Sequence, residues 1–252
     1  MPKKVRVGLV GYGKAGNAVA DVLCNDSRFE LCWIVCRKAN NKPEVHPGSH
    51  APIIENDQMS FEELLDRYPV DALVDFSARI SLHSYGEEIR RRGIMLVSAI
   101  SAYTEDDLAF ARSLGRDARV LCSPNITLGI NFLIVAAKQL RTIAPLADVE
   151  ILEHHFREKT EVSGTARKIA QSLNVEDKRI TSLRLGGIVG HHEVIFGFPH
   201  ETLSLTHDSI RREAFGTGVA FVLTGMAELD NGFYTFDDLL MYKMRISEHR
   251  DQ

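Results

Sequence analysis

The apolar run Val5-Arg6-Val7-Gly8-Leu9-Val10 passes directly into Gly11-Tyr12-Gly13-Lys14-Ala15-Gly16 and then into the helical spacing of Val19, Val22 and Leu23. Strand, glycine-rich turn and helix in that order are the context in which G-x-G-x-x-G lets a pyrophosphate approach the backbone at a helix N-terminus. Such a unit covers its apolar surfaces by adding parallel strands, which commits this part of the chain to an α/β sheet. Gly11, Tyr12, Gly13, Lys14, Ala15 and Gly16 are therefore candidates for holding a dinucleotide. The competing reading is a turn with a structural purpose alone.

A second strand, residues 31–35, ends in Cys36-Arg37-Lys38. An acid at that tip would bind the ribose hydroxyls of NAD, whereas two cations suit the additional phosphate of NADP. Arg37 and Lys38 thus predict NADPH, with NADH possible, unless they form only a solvated loop.

Further strand-like segments at 72–76, 95–97 and 120–122 alternate with amphipathic stretches such as 60–68 and 84–92. The alternation predicts an N-terminal Rossmann-like, doubly wound parallel sheet. Phe76 and Ser77 close one strand at the edge where ligands collect in such sheets. After Pro124-Asn125 the alternation stops. An apolar helix at 129–140 precedes strand-like segments at 149–155, 182–188, 193–198 and 201–206, which predicts a second α+β domain on an open mixed sheet. Residues 212–223 read as a helix, and Leu239-Leu240-Met241 as an apolar tail packing back on the nucleotide domain. The predicted division is 1–125 plus 212–252 for dinucleotide binding, and 126–211 for substrate binding and oligomerisation.

The second part carries Glu153-His154-His155 and, shortly after it, Ser163-Gly164-Thr165-Ala166. Imidazole titrates near neutrality, and a Ser-Gly-Thr opening a helix offers a hydroxyl and free N–H groups to a carboxylate. A proton donor beside an anion cradle is one reading; exposed histidines before an ordinary N-cap is the other.

Composition removes several classes. A chain of 252 residues has room for one large or two modest domains. A net charge of −4 without a basic face argues against nucleic acid as partner. No apolar run approaches the roughly 18 residues of a membrane span. Met1-Pro2-Lys3-Lys4 leads straight into the first strand without a signal-peptide pattern, so a cytoplasmic location is expected. Cys24, Cys32, Cys36 and Cys122 show no C-x-x-C spacing, and no disulfide or metal site is expected. His191-His192 with His154-His155 does not by itself fix a metal geometry.

Asp75-Phe76-Ser77, Pro124-Asn125, Gly129-Ile130-Asn131, Glu153-His154-His155, Ser163-Gly164-Thr165-Ala166, and the strings at 184–190 and 212–218 follow one another in an order that resembles the dihydrodipicolinate reductase family of the lysine and diaminopimelate pathway. The double histidine with its Ser-Gly-Thr-Ala is the most specific element. It is supported by Gly187-Ile188-Val189-Gly190-His191-His192. The resemblance covers almost the whole chain.

What the resemblance implies is hydride transfer from a nicotinamide cofactor to a cyclic, unsaturated dicarboxylate. It assigns His154 as proton donor, and His155 with Ser163, Gly164 and Thr165 as the carboxylate holders. Arg212 supports the site electrostatically, Ala99 and Ser101 lie beside the nicotinamide, and Pro124 and Asn125 belong to the cofactor edge. It also implies a homotetramer built through the second domain's sheet, since an open sheet needs cover. The chemistry agrees: hydride addition to a conjugated imine leaves a carbanion-like centre that needs an acid with a pKa near ambient pH.

The departures bear on the substrate. Where the family carries a lysine four residues after the first histidine, this chain has Glu158. An acid facing two substrate carboxylates in a dry site would cost on the order of several kcal/mol. Lys159 follows, but on a strand it would point to the opposite face. Ala99-Ile100-Ser101-Ala102-Tyr103 stands where the family shows Gly-Thr-Thr-Gly-Phe, Thr160-Glu161-Val162 replaces Asp-Ala-Pro, and the glycine loop is one residue shorter. Three readings stay open: a dihydrodipicolinate reductase with an atypical site, a paralogue reducing another imine, enone or quinone-like acceptor, and a nucleotide-binding subunit without chemistry.

Overall fold

The computed structural model describes residues 3–38 and 43–250, with 247–250 described by backbone alone. Met1 and Pro2, part of the start considered above, lie outside the described residues. The chain forms two compact units, Met1–Thr127 with Phe215–Gln252, and Leu128–Ala214.

The first unit runs β1 (Val5–Val10), α1 (Lys14–Asn25), β2 (Phe29–Cys36), β3 (Ile53–Glu55), α2 (Phe61–Arg67), β4 (Ala72–Asp75), α3 (Ser81–Arg92), β5 (Met95–Ser98), α4 (Glu105–Leu114) and β6 (Arg119–Cys122). Its seven strands, completed by a late strand at Gly232–Tyr234, pair in parallel throughout. β1 lies between β2 and β4, so the chain reverses its direction of winding there. That reversal is the point at which open α/β sheets form a ligand crevice. β4 and β5 are buried along their whole length, as apolar strands covered on both faces must be. Trp33, Leu73, Tyr85 and Leu96 are fully buried in the core, and the Trp33 indole donates to the Tyr68 carbonyl at 3.0 Å.

Helix ends follow the local sequence. Ser60 with Glu63 and Thr104 with Asp107 form reciprocal capping boxes that start α2 and α4. Gly93, at φ 63°, stops α3. Leu239 and Leu240 are buried within this unit, and Met241 is half-buried.

The second unit contains α5 (Leu128–Ile143), β7 (Asp148–His155), α6 (Gly164–Leu173), β8 (Ile180–Arg184), β9 (His191–Gly197) and β10 (Thr202–Asp208). α7 (Glu213–Met226), β11 (Gly232–Tyr234) and α8 (Phe236–Arg250) complete the chain. The sheet order is β10-β9-β7-β8, antiparallel except for the parallel β7–β8 edge, which makes it a mixed sheet. Along β7 burial alternates. Val149, Ile151, Glu153 and His155 face inward, and the apolar pair joins Ile134, Ile169 and Phe196 in a core covered by α5 and α6.

Several element ends shift from the sequence reading, and two of the shifts bear on site candidates. The strand expected at 182–188 ends at Arg184, because Gly186 turns the backbone at φ 47°. α7 begins at Glu213, which leaves Arg212 in the preceding turn. The short strands β3 and β11 carry too little pattern to be read from the sequence.

Candidate active site

In the first unit every cofactor candidate lies at the C-terminal end of a parallel strand. Gly11 to Gly16 follow β1, Arg37 and Lys38 follow β2, Phe76 and Ser77 follow β4, Ala99 and Ser101 follow β5, and Pro124 and Asn125 follow β6. One sheet edge therefore gathers residues more than a hundred positions apart.

Gly11 has φ 96°, and a Cβ there would stand 2.6 Å from the Phe76 backbone; one at Gly16 would stand 1.9 Å from the Gly11 carbonyl oxygen. These two glycines are required by the turn itself. Gly13 is different, since a Cβ on it meets nothing within 4 Å. It caps α1 without a side-chain hydrogen bond, and the first turn holds no acid. A helix start of this kind presents unpaired N–H groups and positive potential, which fits a pyrophosphate. Arg37 and Lys38 are exposed beside it, with no acid at the tip of β2.

Asp75 fixes the neighbouring loop. Its buried carboxylate accepts from the Ser77 amide at 2.8 Å, the Ser77 hydroxyl at 2.5 Å and the Tyr85 hydroxyl at 2.6 Å. Burial raises this carboxyl above the ordinary range, against the lowering effect of those hydrogen bonds. Asn125 spends its side-chain oxygen on Thr127, accepting from the amide at 3.1 Å and the hydroxyl at 2.9 Å. Tyr12 packs edge-on to His46, with ring centroids 6.2 Å apart.

In the second unit the adjacent histidines separate. Side chains alternate across a strand, so His155 joins Glu153 on the inward face and His154 takes the other. His155 Nδ1 lies 2.5 Å from Glu153 Oε2, and the Ser163 amide donates to Glu153 Oε1 at 3.2 Å. One carboxylate thus joins His155 to the start of α6. Ser163 Oγ accepts from the Ala166 amide at 3.4 Å and lies 2.8 Å from His192 Nε2. A Cβ on Gly164 would meet nothing within 4 Å, and Thr165 is half-buried. His154 stacks on His191 at 4.4 Å between centroids, while His155 meets His192 edge-on at 5.3 Å. The four histidines therefore form two pairs on opposite faces rather than one cluster.

The remaining candidates sit elsewhere. Glu158 is exposed on a turn, not on a strand, so strict alternation does not set Glu158 and Lys159 on opposite faces. Lys159 is half-buried, and its amide donates to Phe156. Arg212 is exposed.

Three participants have no assigned role in the sequence reading: Glu153, Arg184 and His192. Glu153 is fully buried and accepts a two-pronged contact from Arg184 at 2.9 and 2.8 Å, and a bond from the Ser182 hydroxyl at 2.7 Å. Burial alone would raise its carboxyl, but the bonds from Arg184, Ser182, His155 and the Ser163 amide together hold it down to about 2. Burial first, then the like charges of His155 and His207, push His192 down to about 3. The period-two spacing of Glu153 and His155 was a readable signal for their shared face. The β7–β8 register that brings in Arg184, opposite His155, was not.

Comparison with known proteins accounts for both units. The dihydrodipicolinate reductase N-terminus pattern matches residues 5–126, and the C-terminus pattern matches 126–240. The 4-hydroxy-tetrahydrodipicolinate reductase of Thermosipho africanus is 30% identical over 238 residues, covering 94% of this chain and 98% of the relative. That of Lactococcus lactis subsp. cremoris (strain SK11) is 31% identical over 268 residues, covering 94% and 98%. The fold is shared with the dipicolinate-bound dihydrodipicolinate reductase from Paenisporosarcina sp. TG-14, at a TM-score of 0.78 and 21% identity over 92% of this chain and 98% of that one. The chain belongs to the dihydrodipicolinate reductase family of NAD(P)H-dependent oxidoreductases.

Proposed function

We propose that this protein reduces a cyclic, unsaturated dicarboxylate of the dihydrodipicolinate type with NADPH, in the lysine and diaminopimelate pathway that the family name implies. The observation that carries this reading is the joining of His155 to the start of α6 through Glu153, beside a Gly164 with open space where a side chain would be. It occurs in a chain matched by the family along nearly its whole length.

When bound, the nicotinamide supplies the hydride. Residues Gly11 to Gly16 would hold its pyrophosphate, Arg37 and Lys38 the 2′-phosphate, and Phe76, Ser77, Ala99, Ser101, Pro124 and Asn125 the remainder of the edge. The Ser163 hydroxyl and the first amides of α6 would hold a substrate carboxylate, with the helix dipole offsetting its charge.

Of the two histidines we assign the acid role to His155, and not to His154, the residue to which the resemblance assigns it. His155 shares its face and its carboxylate partner with Ser163, whereas His154 lies on the opposite face against His191. Counted from His155, the family's lysine four residues on falls at Lys159. Glu158 is exposed on its turn, and on this count it is not the residue that stands in the lysine's place. The overall step adds a hydride and one proton across the conjugated imine, and His155 Nε2 is the atom that releases the proton. Cofactor oxidation with freshly generated dihydrodipicolinate, beside a panel of other imines, enones and quinones, tests the proposal.

A further inference from the structure

The imidazole of His155 has two nitrogens, and the structure constrains one of them through Glu153. Glu153 Oε2 receives His155 Nδ1 at 2.5 Å and Arg184 Nη1 at 2.9 Å; Oε1 receives Arg184 Nη2 at 2.8 Å, the Ser182 hydroxyl at 2.7 Å and the Ser163 amide at 3.2 Å. Every contact is to a donor, which is the environment of an ionised carboxylate. An ionised carboxylate has no hydrogen to give, so the hydrogen between Glu153 and His155 belongs to Nδ1.

Arg184 extends the same arrangement. Its Nε donates to the Lys159 carbonyl at 2.7 Å, and its Nη2 to the Glu161 carbonyl at 2.8 Å. The loop at 156–162, which connects the histidine to Ser163 and has no regular structure, is thereby tied to the carboxylate that holds the imidazole. On the other side, a Cβ at Gly190 would stand 3.3 Å from His155 Nε2, closer than most such contacts, so glycine there leaves that nitrogen clear.

We propose that Glu153 is a positioning residue that holds His155 in the Nδ1–H tautomer, leaving Nε2 as the only nitrogen that exchanges a proton with substrate, and that Arg184 uses the same carboxylate to set the 156–162 loop. The proposal rests on the reading of His155 as the acid. Donation from Nε2 returns the ring to the neutral Nδ1–H form, ready to be recharged at the same atom. The charged and titratable groups facing Glu153 are Arg184 from β8, His155 from its own strand and His192 from β9. Arg184 balances the carboxylate whether or not His155 is charged.

The test is a long-range 1H–15N correlation spectrum of the full-length protein labelled at histidine, with His155 identified by loss of its signals in His155→Gln. The expected wild-type signature of the neutral ring is a protonated Nδ1 and an unprotonated Nε2. Glu153→Gln, which keeps the shape but puts an amide donor within reach, should shift the ring toward the Nε2–H form. It should also lower kcat by about 10²-fold or more, as loss of a transition-state interaction does, and raise KM through the loop that Arg184 holds. A wild-type ring protonated at Nε2 overturns the proposal, as does a folded Glu153→Gln protein that keeps the Nδ1–H signature. The spectrum requires no substrate, so it stands apart from the reductase reading: a correct tautomer in a protein inactive on dihydrodipicolinate would count against the substrate and not against Glu153. Should Glu153→Gln fail to fold, the wild-type spectrum alone still decides the tautomer.

Discussion

His154 and His155 are neighbours in sequence and point to opposite faces of one sheet, His155 into a buried carboxylate at 2.5 Å and His154 onto the ring of His191 at 4.4 Å. Their substitutions should therefore not be equivalent. His155→Gln should lower kcat by about 10²-fold or more, the usual worth of a positioned general acid, whereas His154→Gln should retain turnover within about tenfold. Steady-state kinetics of the two variants checks this, and the reverse ranking would return the acid role to His154.

Burial separates Glu158, exposed on its turn, from the half-buried Lys159. Lys159→Ala should raise KM for the dicarboxylate by about tenfold, equivalent to about 1.4 kcal/mol of lost charge pairing, and Glu158→Ala should change it little. If Glu158→Lys strongly improves activity and Lys159→Ala is silent, the acid at 158 does face substrate.

At the other unit, the glycines divide by what surrounds them. Gly13→Ala meets open space, so stability should change by less than about 1 kcal/mol while NADPH affinity falls about tenfold or more. Gly16→Ala puts a methyl against the Gly11 carbonyl and should lose both. Thermal melts beside cofactor titrations distinguish the two. Arg37→Ala should weaken NADPH binding and leave NADH nearly unchanged, which isothermal titration with each cofactor would show.

Acid should unfold the protein in two stages. His192 is held at about 3, below its ordinary 6.5, so the folded state keeps it neutral while the unfolded state takes up a proton. Its contribution is present above pH 6.5 and is lost progressively as pH falls toward 3. Glu153 is held at about 2, below the ordinary 4.5, and its contribution is lost between those values. Melting temperatures measured from pH 7.5 downward should begin to fall near 6.5, and His192→Asn should flatten that first stage. An unchanged slope in the variant would assign the first stage to other groups.

Local patterns carried most of the fold. The glycine turn after an apolar strand, the strand–helix alternation and the change of pattern after Pro124 were enough to give a parallel sheet followed by a mixed one. What stayed hidden depended on register and on turns. Arg184 reaches Glu153 because β8 lies parallel to β7, a pairing that no residue spacing announces. The turn at Arg157 and Glu158 lacks glycine or proline to declare it, so the sequence does not decide whether Lys159 shares a face with Glu158. The alternation within β7 was legible, and applied to Glu153-His154-His155 it already separates the two imidazoles.

The most direct test of the whole account is NADPH oxidation by the purified protein supplied with freshly generated dihydrodipicolinate. The account predicts turnover of roughly 10 per second or above, in the range of well-evolved enzymes, abolished or nearly so by His155→Gln. Background rates on that substrate, together with clear reduction of another imine, enone or quinone under the same conditions, would contradict it.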